Sequence, residues 1–281
     1  GFAFVAQRMG MTHMGPFTFN AIRFSLGAIS LLPVLRWIRR HGLEQSPITL
    51  RQSLLPGLTT GLVLFASASL QQMGLVGTSA NKAGFITGLY VILVPLLGLV
   101  WGRRTHLAHW LGAVLAVVGL YFLSVQKGFV ISKFDLVVLA GAFVWAVHVH
   151  LIARYSSRVG AIRLSLMQFA VCGVLSALSA LLFERISIEG ILGGIGPILY
   201  GAFLSVGVAY TLQVVAQRTA DPTHAVVILS LEGAFAALGG WLVLKEFIPL
   251  RGLLGCGLIL MGTLISQFLG NHRKNGMNSV D

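Results

Sequence analysis

Residues 77–98, GTSANKAGFITGLYVILVPLLG, indicate the class of fold to which this chain belongs. From Ala83 to Val100 the chain carries no charged side chain, and a helix of that length matches the hydrocarbon core of a bilayer. Ser79 is a good helix cap, which places Lys82 in the first turn, where the helix dipole disfavours a cation. The stretch therefore predicts a membrane-spanning helix with an unexpected cation at its start.

The composition extends this interpretation to the whole chain. Charged residues make up 10% of the 281 residues, against about a quarter in soluble domains, and the mean hydropathy is +0.86. The apolar runs are about 20 residues long, whereas the strands of a membrane barrel are shorter and alternate in polarity. We therefore expect an all-α membrane protein in contact with the lipid bilayer.

The net charge of +12 does not indicate nucleic-acid binding, because the basic residues lie in short clusters between apolar runs. Clusters such as Arg39 and Arg40 fall on one predicted side of the membrane, and this side outnumbers the other in Lys and Arg by more than two to one. Since positive loops stay in the cytoplasm, we expect a multi-pass protein of the inner (plasma) membrane with both termini cytoplasmic.

Apolar runs separated by polar or turn residues predict ten transmembrane helices. The first is too short to cross a bilayer alone, so we expect the first helix to be truncated in this sequence. The predicted spans are 1–14, 16–38, 53–73, 79–101, 107–125, 134–154, 161–183, 196–217, 222–244 and 250–269.

The second half of the chain echoes the first at an offset of 142–143 residues. In each half, a Leu-Gln pair precedes a polar turn, an apolar helix, a short charged turn and a last helix with two glycines. The charged turns are Arg103-Arg104 and Lys245-Glu246. We therefore predict two five-helix repeats, 1–126 and 127–281. Because five is odd, the second repeat enters the membrane inverted, as in secondary transporters whose substrate site lies between the halves.

The chain resembles the EamA-type members of the drug/metabolite transporter superfamily. The residues that carry the resemblance are GFAFVAQRMGMTHMGPFTFNAIRF (1–24), GTSANKAGFITGLYVILVPLLG (77–98), AFVWAVHVH (142–150), LEGAFAALGGWLVLKE (231–246) and GLLGCGLILMG (252–262). The resemblance covers essentially the whole chain. It implies a ten-helix exporter of small metabolites, amino acids or drugs.

Glu232 is the principal candidate within the membrane. It lies ten residues past Pro222, about 15 Å along its helix, and an acid at that depth must be protonated, paired or in a wet cavity. Tyr90 is its equivalent in the first repeat, so both side chains are candidates for a central substrate cavity. Coupling of transport to protons through Glu232 is one hypothesis, and a hydrogen-bonded packing acid is the alternative.

Lys82 and His224 occupy equivalent positions at the starts of two helices. Lys82 is either a lysine that snorkels to the interface or a residue that binds an anionic substrate group at the cavity mouth. The titratable group at the same place in both repeats favours a substrate-binding role for the pair.

His148, His150 and Gln7 complete the set of candidates. Two residues apart on a helix, His148 and His150 face different ways and cannot share an ion, so we predict no metal site. His148 is a candidate for the cavity or a proton relay. Gln7 is a candidate for cavity lining, with a packing hydrogen bond as the alternative.

The chain carries no motif of a hydrolase, metalloprotease or P-loop ATPase, so we expect neither an enzyme nor a cofactor. The sequence therefore predicts a secondary transporter that exports a small-molecule substrate by alternating access. The alternative is a non-transporting membrane protein, either a channel-like pore or a structural partner.

Overall fold

The structure, a computed structural model, describes residues 1–41, 49–102, 105–124, 131–245 and 250–276. The predicted turn residues Arg103, Arg104 and Glu246 lie outside these ranges. Every regular element that it describes is helical. The helices are α1 (Phe2–Gly10), α2 (Pro16–Arg40), α3 (Leu50–Leu75), α4 (Ala80–Gly88), α5 (Tyr90–Val100), α6 (Leu107–Ser124), α7 (Lys133–Val159), α8 (Ala161–Phe183), α9 (Ile188–Gly193), α10 (Ile195–Leu199), a π-helical segment (Tyr200–Tyr210), α11 (Thr211–Ala216), α12 (Pro222–Leu229), α13 (Leu231–Leu244) and α14 (Leu250–Gly276).

Seven helical stretches among the described residues are long and apolar enough to cross a membrane. They are Pro16–Arg40, Arg51–Leu75, Ala80–Val100, Lys133–Val159, Ala161–Phe183, Ile195–Ala216 and Pro222–Leu244. Two further apolar helices, Leu107–Phe122 and Leu250–Ser266, are shorter, and α1 has only nine residues. The all-α membrane class is confirmed, whereas the count of ten spans stays a prediction.

The helix starts follow from local chemistry. Thr49 and Gln52 form a capping box before α3, in which each side chain bonds the other residue's backbone N–H. Asp221 caps α12 by accepting hydrogen bonds from the backbone of Thr223 at 2.9 Å and of His224 at 3.3 Å. Gly160, at φ +85°, provides the left-handed turn that lets α8 follow α7 without a loop.

Glu184 fixes the antiparallel packing of α2 and α8. Its carboxylate, just past the end of α8, accepts hydrogen bonds from the backbone N–H groups of Phe17 at 2.7 Å and Thr18 at 2.8 Å. Because the two helices run in opposite directions, Arg40 and Arg158 lie together at the other end of the molecule. We refer to these as the Glu184 end and the Arg40 end.

Two membrane-length helices are interrupted near their middle. Leu89 separates α4 from α5, and Ser230 separates α12 from α13. At Leu89 the backbone N–H bonds the carbonyl of Ile86, three residues back, instead of the usual four. A third helix, Ile195–Ala216, contains the π-helical segment that ends at Tyr210. All three irregular points lie beside the cavity described below.

The outer surface of the bundle is apolar. Large side chains such as Leu181, Leu182 and Phe183 are more than two-thirds exposed, far more apolar surface than a soluble helix leaves uncovered. The buried interior instead holds polar groups, including Gln7, Gln71 and Arg23. This inside-out distribution is what a lipid environment requires.

Candidate functional site

A cavity of about 30 Å³ lies at the centre of the bundle, between the two interrupted helices. Eight residues from seven elements line it: Gln71, Thr87, Tyr90, Trp145, Val149, Tyr210, Gln213 and Glu232. This volume suits about one water molecule, whereas pockets that bind small molecules measure about 300–1,000 Å³. In this conformation the cavity is small and is lined by both polar and apolar side chains from the two halves of the chain.

Tyr90 and Glu232 face this cavity from equivalent places in the two halves. Tyr90 is the first residue after the break at Leu89, and Glu232 is the second after the break at Ser230. Tyr90 is buried and Glu232 half-buried. Among the described residues, the Glu232 carboxylate has no hydrogen-bond or ion-pair partner. An acid in the membrane interior that faces a polar cavity without a protein partner is available to a proton or a substrate.

A chain of amides leads from the cavity wall to α1. Trp145 donates its indole N–H to Gln71 Oε1 at 2.8 Å, and Gln71 Nε2 donates to Gln7 Oε1 at 3.0 Å. Gln72 completes the contact by donating to the Gln7 backbone carbonyl at 3.2 Å. Gln7 itself is 1% exposed, so it lies behind the cavity wall and orients Gln71.

His148 also lies one layer behind the cavity. Its ring meets the edge of Trp145 at 5.4 Å between centroids, and its Nε2 lies 2.9 Å from Gln168 Oε1. Because a carbonyl oxygen only accepts, this nitrogen carries the proton. His150 points elsewhere, with Nε2 2.9 Å from the Val94 carbonyl oxygen. The two histidines do not converge, and no cluster of metal-binding side chains occurs among the described residues.

Tyr210 joins the cavity to the aromatic core. Its ring packs edge-on against Trp145 at 5.8 Å and lies 6.4 Å from the ring of Phe24 on α2. Tyr210 therefore connects the cavity to the side chains of α2.

Lys82 forms an ion pair at the Glu184 end. Its Nζ lies 2.6 Å from Asp135 Oδ2 in the first turn of α7, and the other oxygen of Asp135 accepts a hydrogen bond from Thr78. Ser132 N–H also donates to Asp135 at 2.6 Å. The carboxylate of Asp135 thus stabilises the cation in the first turn of α4, and the ion pair holds the starts of α4 and α7 together.

His224 lies at the opposite end from Lys82, because α12 begins at the Arg40 end. Its Nδ1 lies 3.3 Å from Ser266 Oγ, and the same hydroxyl lies 2.8 Å from Nδ1 of His109. The structure therefore brings Tyr90 and Glu232 together in one cavity. It places Gln7 and His148 directly behind that cavity. Lys82 lies at the Glu184 end of the bundle and His224 at the Arg40 end.

Several residues of this arrangement were not predicted from the sequence. Asp135 is part of a Ser132–Asp135 capping box, which is a local signal, but its pairing with Lys82 spans 53 residues and has no local signal. Tyr210 and Trp145 carry no sequence signal that separates them from ordinary core aromatics. Arg23, inside the predicted span 16–38, is fully buried.

Comparisons with known proteins agree with this architecture. The EamA-like transporter family matches the chain twice, over residues 1–125 and 132–268. An uncharacterized transporter of Archaeoglobus fulgidus is 32% identical over 94% of this chain and 81% of its own length. The uncharacterized transporter YoaV of Bacillus subtilis is 21% identical over 98% of this chain and 94% of its own length.

A crystal structure shares the fold at a TM-score of 0.73 and 19% identity, covering 95% of this chain and 94% of the other. At this identity the likeness shows the fold alone. The family matches, together with the relative from Archaeoglobus fulgidus, show the family. The chain belongs to the EamA-like transporter family.

Proposed function

We propose that this protein is a secondary transporter that exports small metabolites, amino acids or drugs by alternating access. The observation that carries the proposal is the position of Tyr90 and Glu232, which face one central cavity directly after the breaks in two equivalent helices. Interrupted helices at the substrate site are typical of secondary transporters built from inverted repeats. The two family matches, 1–125 and 132–268, support repeats at 1–126 and 127–281 and the predicted ten spans.

Glu232 is the residue that we propose couples transport to protons. It is half-buried, faces the cavity and has no hydrogen-bond partner among the described residues. When it is protonated it becomes a neutral donor, and when it is ionised it repels anions and attracts cations. Either change alters the affinity of the cavity for a substrate, so the release of the proton is linked to the binding of the substrate.

The Lys82–Asp135 pair is proposed as the closure of the Glu184 end. It ties α4, the first half of one interrupted helix, to α7, which provides Trp145 to the cavity. Opening this end separates α4 from α7 and breaks the pair. With both termini cytoplasmic in the inner (plasma) membrane, the Glu184 end lies on the outer side, and we place the contact between Lys82 and anionic substrates there, after the pair with Asp135 has broken.

The test is flux in proteoliposomes with pyranine inside to report protons. Radiolabelled amino acids, sugars and nucleosides are screened for counterflow, and we expect at least one to exchange saturably and to move protons. Glu232→Gln should lower pH-dependent flux by about tenfold or more, while the matched control Glu189→Gln, on the exposed surface, should not. Full pH-dependent flux in Glu232→Gln contradicts the coupling role. Non-saturable flux indicates a pore, and no flux of any compound indicates a structural protein.

A further inference from the structure

Arg23 and Asn20 form a cluster of buried donors, and most of these donors have no acceptor among the described residues. Both side chains are fully buried on neighbouring turns of α2. Arg23 Nε donates to Asn20 Oδ1 at 3.0 Å, which fixes the orientation of the amide because a guanidinium has no acceptor. In the part of the chain that the structure describes, the remaining polar side-chain atoms, Arg23 Nη1 and Nη2 and Asn20 Nδ2, have no hydrogen-bond partner. All three of these atoms are donors.

Among the described residues, the side chains that surround the Arg23 guanidinium are aromatic or uncharged. Its guanidinium carbon lies 4.7 Å from the centre of the Phe24 ring and 5.4 Å from that of Phe19. The titratable side chains in electrostatic range are Tyr210 and Cys172, which are neutral at physiological pH. Cys172 lies in the middle of α8, so the guanidinium is deep in the membrane-spanning part of the bundle.

Two cation–π contacts do not balance this burial. Each is worth about 0.5–2 kcal/mol, whereas an unpaired charge in a protein interior costs several kcal/mol. In the hydrocarbon region of a membrane the penalty is also on the order of several kcal/mol. A bound group that supplies hydrogen-bond acceptors and a single negative charge removes the penalty of burying the Arg23 guanidinium. A carboxylate does this best, since its two oxygens match the guanidinium fork in a bidentate contact.

The cluster adjoins the central cavity through Tyr210. Tyr210 lines the cavity and its ring lies 6.4 Å from that of Phe24, which in turn lies 4.7 Å from the Arg23 guanidinium carbon. It is also the last residue of the π-helical segment, and such irregular helices are often found at functional sites.

We propose that Arg23, with the Asn20 amide, is the anion-binding residue of the transport site, and that the substrates carry a carboxylate. This assignment rests on the proposed function and narrows its substrate class. In the closed conformation seen here the donors are shielded. When the cavity opens, the carboxylate bonds the three free donor atoms while the rest of the substrate lies against Tyr210 and Trp145.

The first experiment uses the unaltered protein in nanodiscs and needs no transport. Phenylglyoxal modifies arginines, and peptide mapping by mass spectrometry reads Arg23 and the exposed Arg40 separately. Acetate, benzoate and 3-phenylpropionate are compared with acetamide, benzamide and 3-phenylpropionamide. At about ten times its Kd, a bound carboxylate should slow the modification of Arg23 roughly tenfold, because only the unoccupied fraction reacts. The amides should not protect Arg23, and Arg40 should react at the same rate throughout.

The second experiment measures binding of the same six compounds to Arg23→Gln and Arg23→Lys. Arg23→Gln should lose the preference for acid over amide, with about a tenfold or greater rise in the Kd of the acid. Arg23→Lys should keep part of the preference, because it keeps the charge and loses the fork. If no carboxylate protects Arg23, or Arg23→Gln keeps the preference, the assignment is wrong. Absence of flux with Arg23 protection intact would instead count against the transporter proposal alone.

Discussion

Gly112 on α6 and Gly262 on α14 lie in direct backbone contact. A Cβ atom on Gly112 would come within 2.7 Å of the Gly262 carbonyl oxygen, and a Cβ on Gly262 within 2.6 Å of the Gly112 carbonyl oxygen. Two turns away, Gly119 meets the carbonyl of Gly255 in the same way. In the predicted repeats, Gly255 is the counterpart of Gly112 and Gly262 is the counterpart of Gly119, at an offset of 143 residues. Gly112 thus contacts the counterpart of Gly119, and Gly119 contacts the counterpart of Gly112, as the proposed two-fold relation between the halves requires.

Gly112→Ala should therefore destabilise the protein by about 1–3 kcal/mol, because backbone atoms cannot rotate away as a side chain can. The measurement is thermal unfolding in detergent. The matched control is Gly257→Ala on the exposed side of α14, where nothing lies within 4 Å of the added methyl. The control should be neutral or slightly stabilising, since alanine is the better helix former. An equal effect of the two substitutions would show that the α6–α14 contact is not this close.

The Lys82–Asp135 pair predicts rescue by charge reversal. Lys82→Met and Asp135→Asn each leave a charge without its partner, and each should cost on the order of 3 kcal/mol because Asp135 is 3% exposed. Lys82→Asp combined with Asp135→Lys should recover part of that loss. Lys133→Met, which removes an exposed lysine on the same turn of α7, is the control. A snorkelling lysine predicts instead that Lys82→Met is neutral and that the exchange rescues nothing.

Glu184 predicts a loss of stability specific to the start of α2. Glu184→Gln removes the charge that caps the helix dipole, and should cost about 1–2 kcal/mol, with a larger loss for Glu184→Ala. Glu189→Gln, an exposed acid on the neighbouring α9, should change the melting temperature little. Hydrogen exchange at the amides of Phe17 and Thr18 should rise in the Glu184 variants. Unchanged exchange at these two amides would contradict the capping role.

The membrane class and seven of the spans follow from sequence because hydrophobic length alone determines them. The predicted span 134–154 stops at Arg154, whereas α7 continues to Val159, because an arginine at the membrane edge does not interrupt the helical backbone. The breaks at Leu89 and Ser230 were not predicted, because neither residue is a proline and each lies inside a single predicted span, 79–101 and 222–244.

The residues of the candidate site also fall into those that the sequence predicts and those that it does not. Tyr90 and Glu232 follow from depth and repeat position, which the sequence carries directly. The partner of Lys82 does not follow, since Asp135 reaches it only through the packing of α4 against α7. The sequence places Arg23 inside the predicted span 16–38, but the lack of an acceptor for its Nη atoms among the described residues depends on the packing around it.

Leu120 on α6 links the two interrupted helices. A Cβ on Gly88, at the end of α4, would lie 2.7 Å from Leu120 Cδ1, and a Cβ on Gly233, near the start of α13, would lie 2.5 Å from Leu120 Cδ2. Leu120 is fully buried, so Leu120→Ala should cost about 2–5 kcal/mol in melting experiments. Leu181→Ala, on a leucine that is 70% exposed, is the control and should be nearly neutral.

The same contact predicts that two harmful substitutions offset each other. Gly88→Ala alone forces its methyl against Leu120 and should destabilise the protein, whereas in the Leu120→Ala background the space is open and the methyl fills part of it. The double variant should therefore be more stable than the sum of the single losses predicts, with a coupling of about 1 kcal/mol or more. Additive losses would show that Leu120 does not lie between the two broken helices, and the packing that places Tyr90 beside Glu232 would need another explanation.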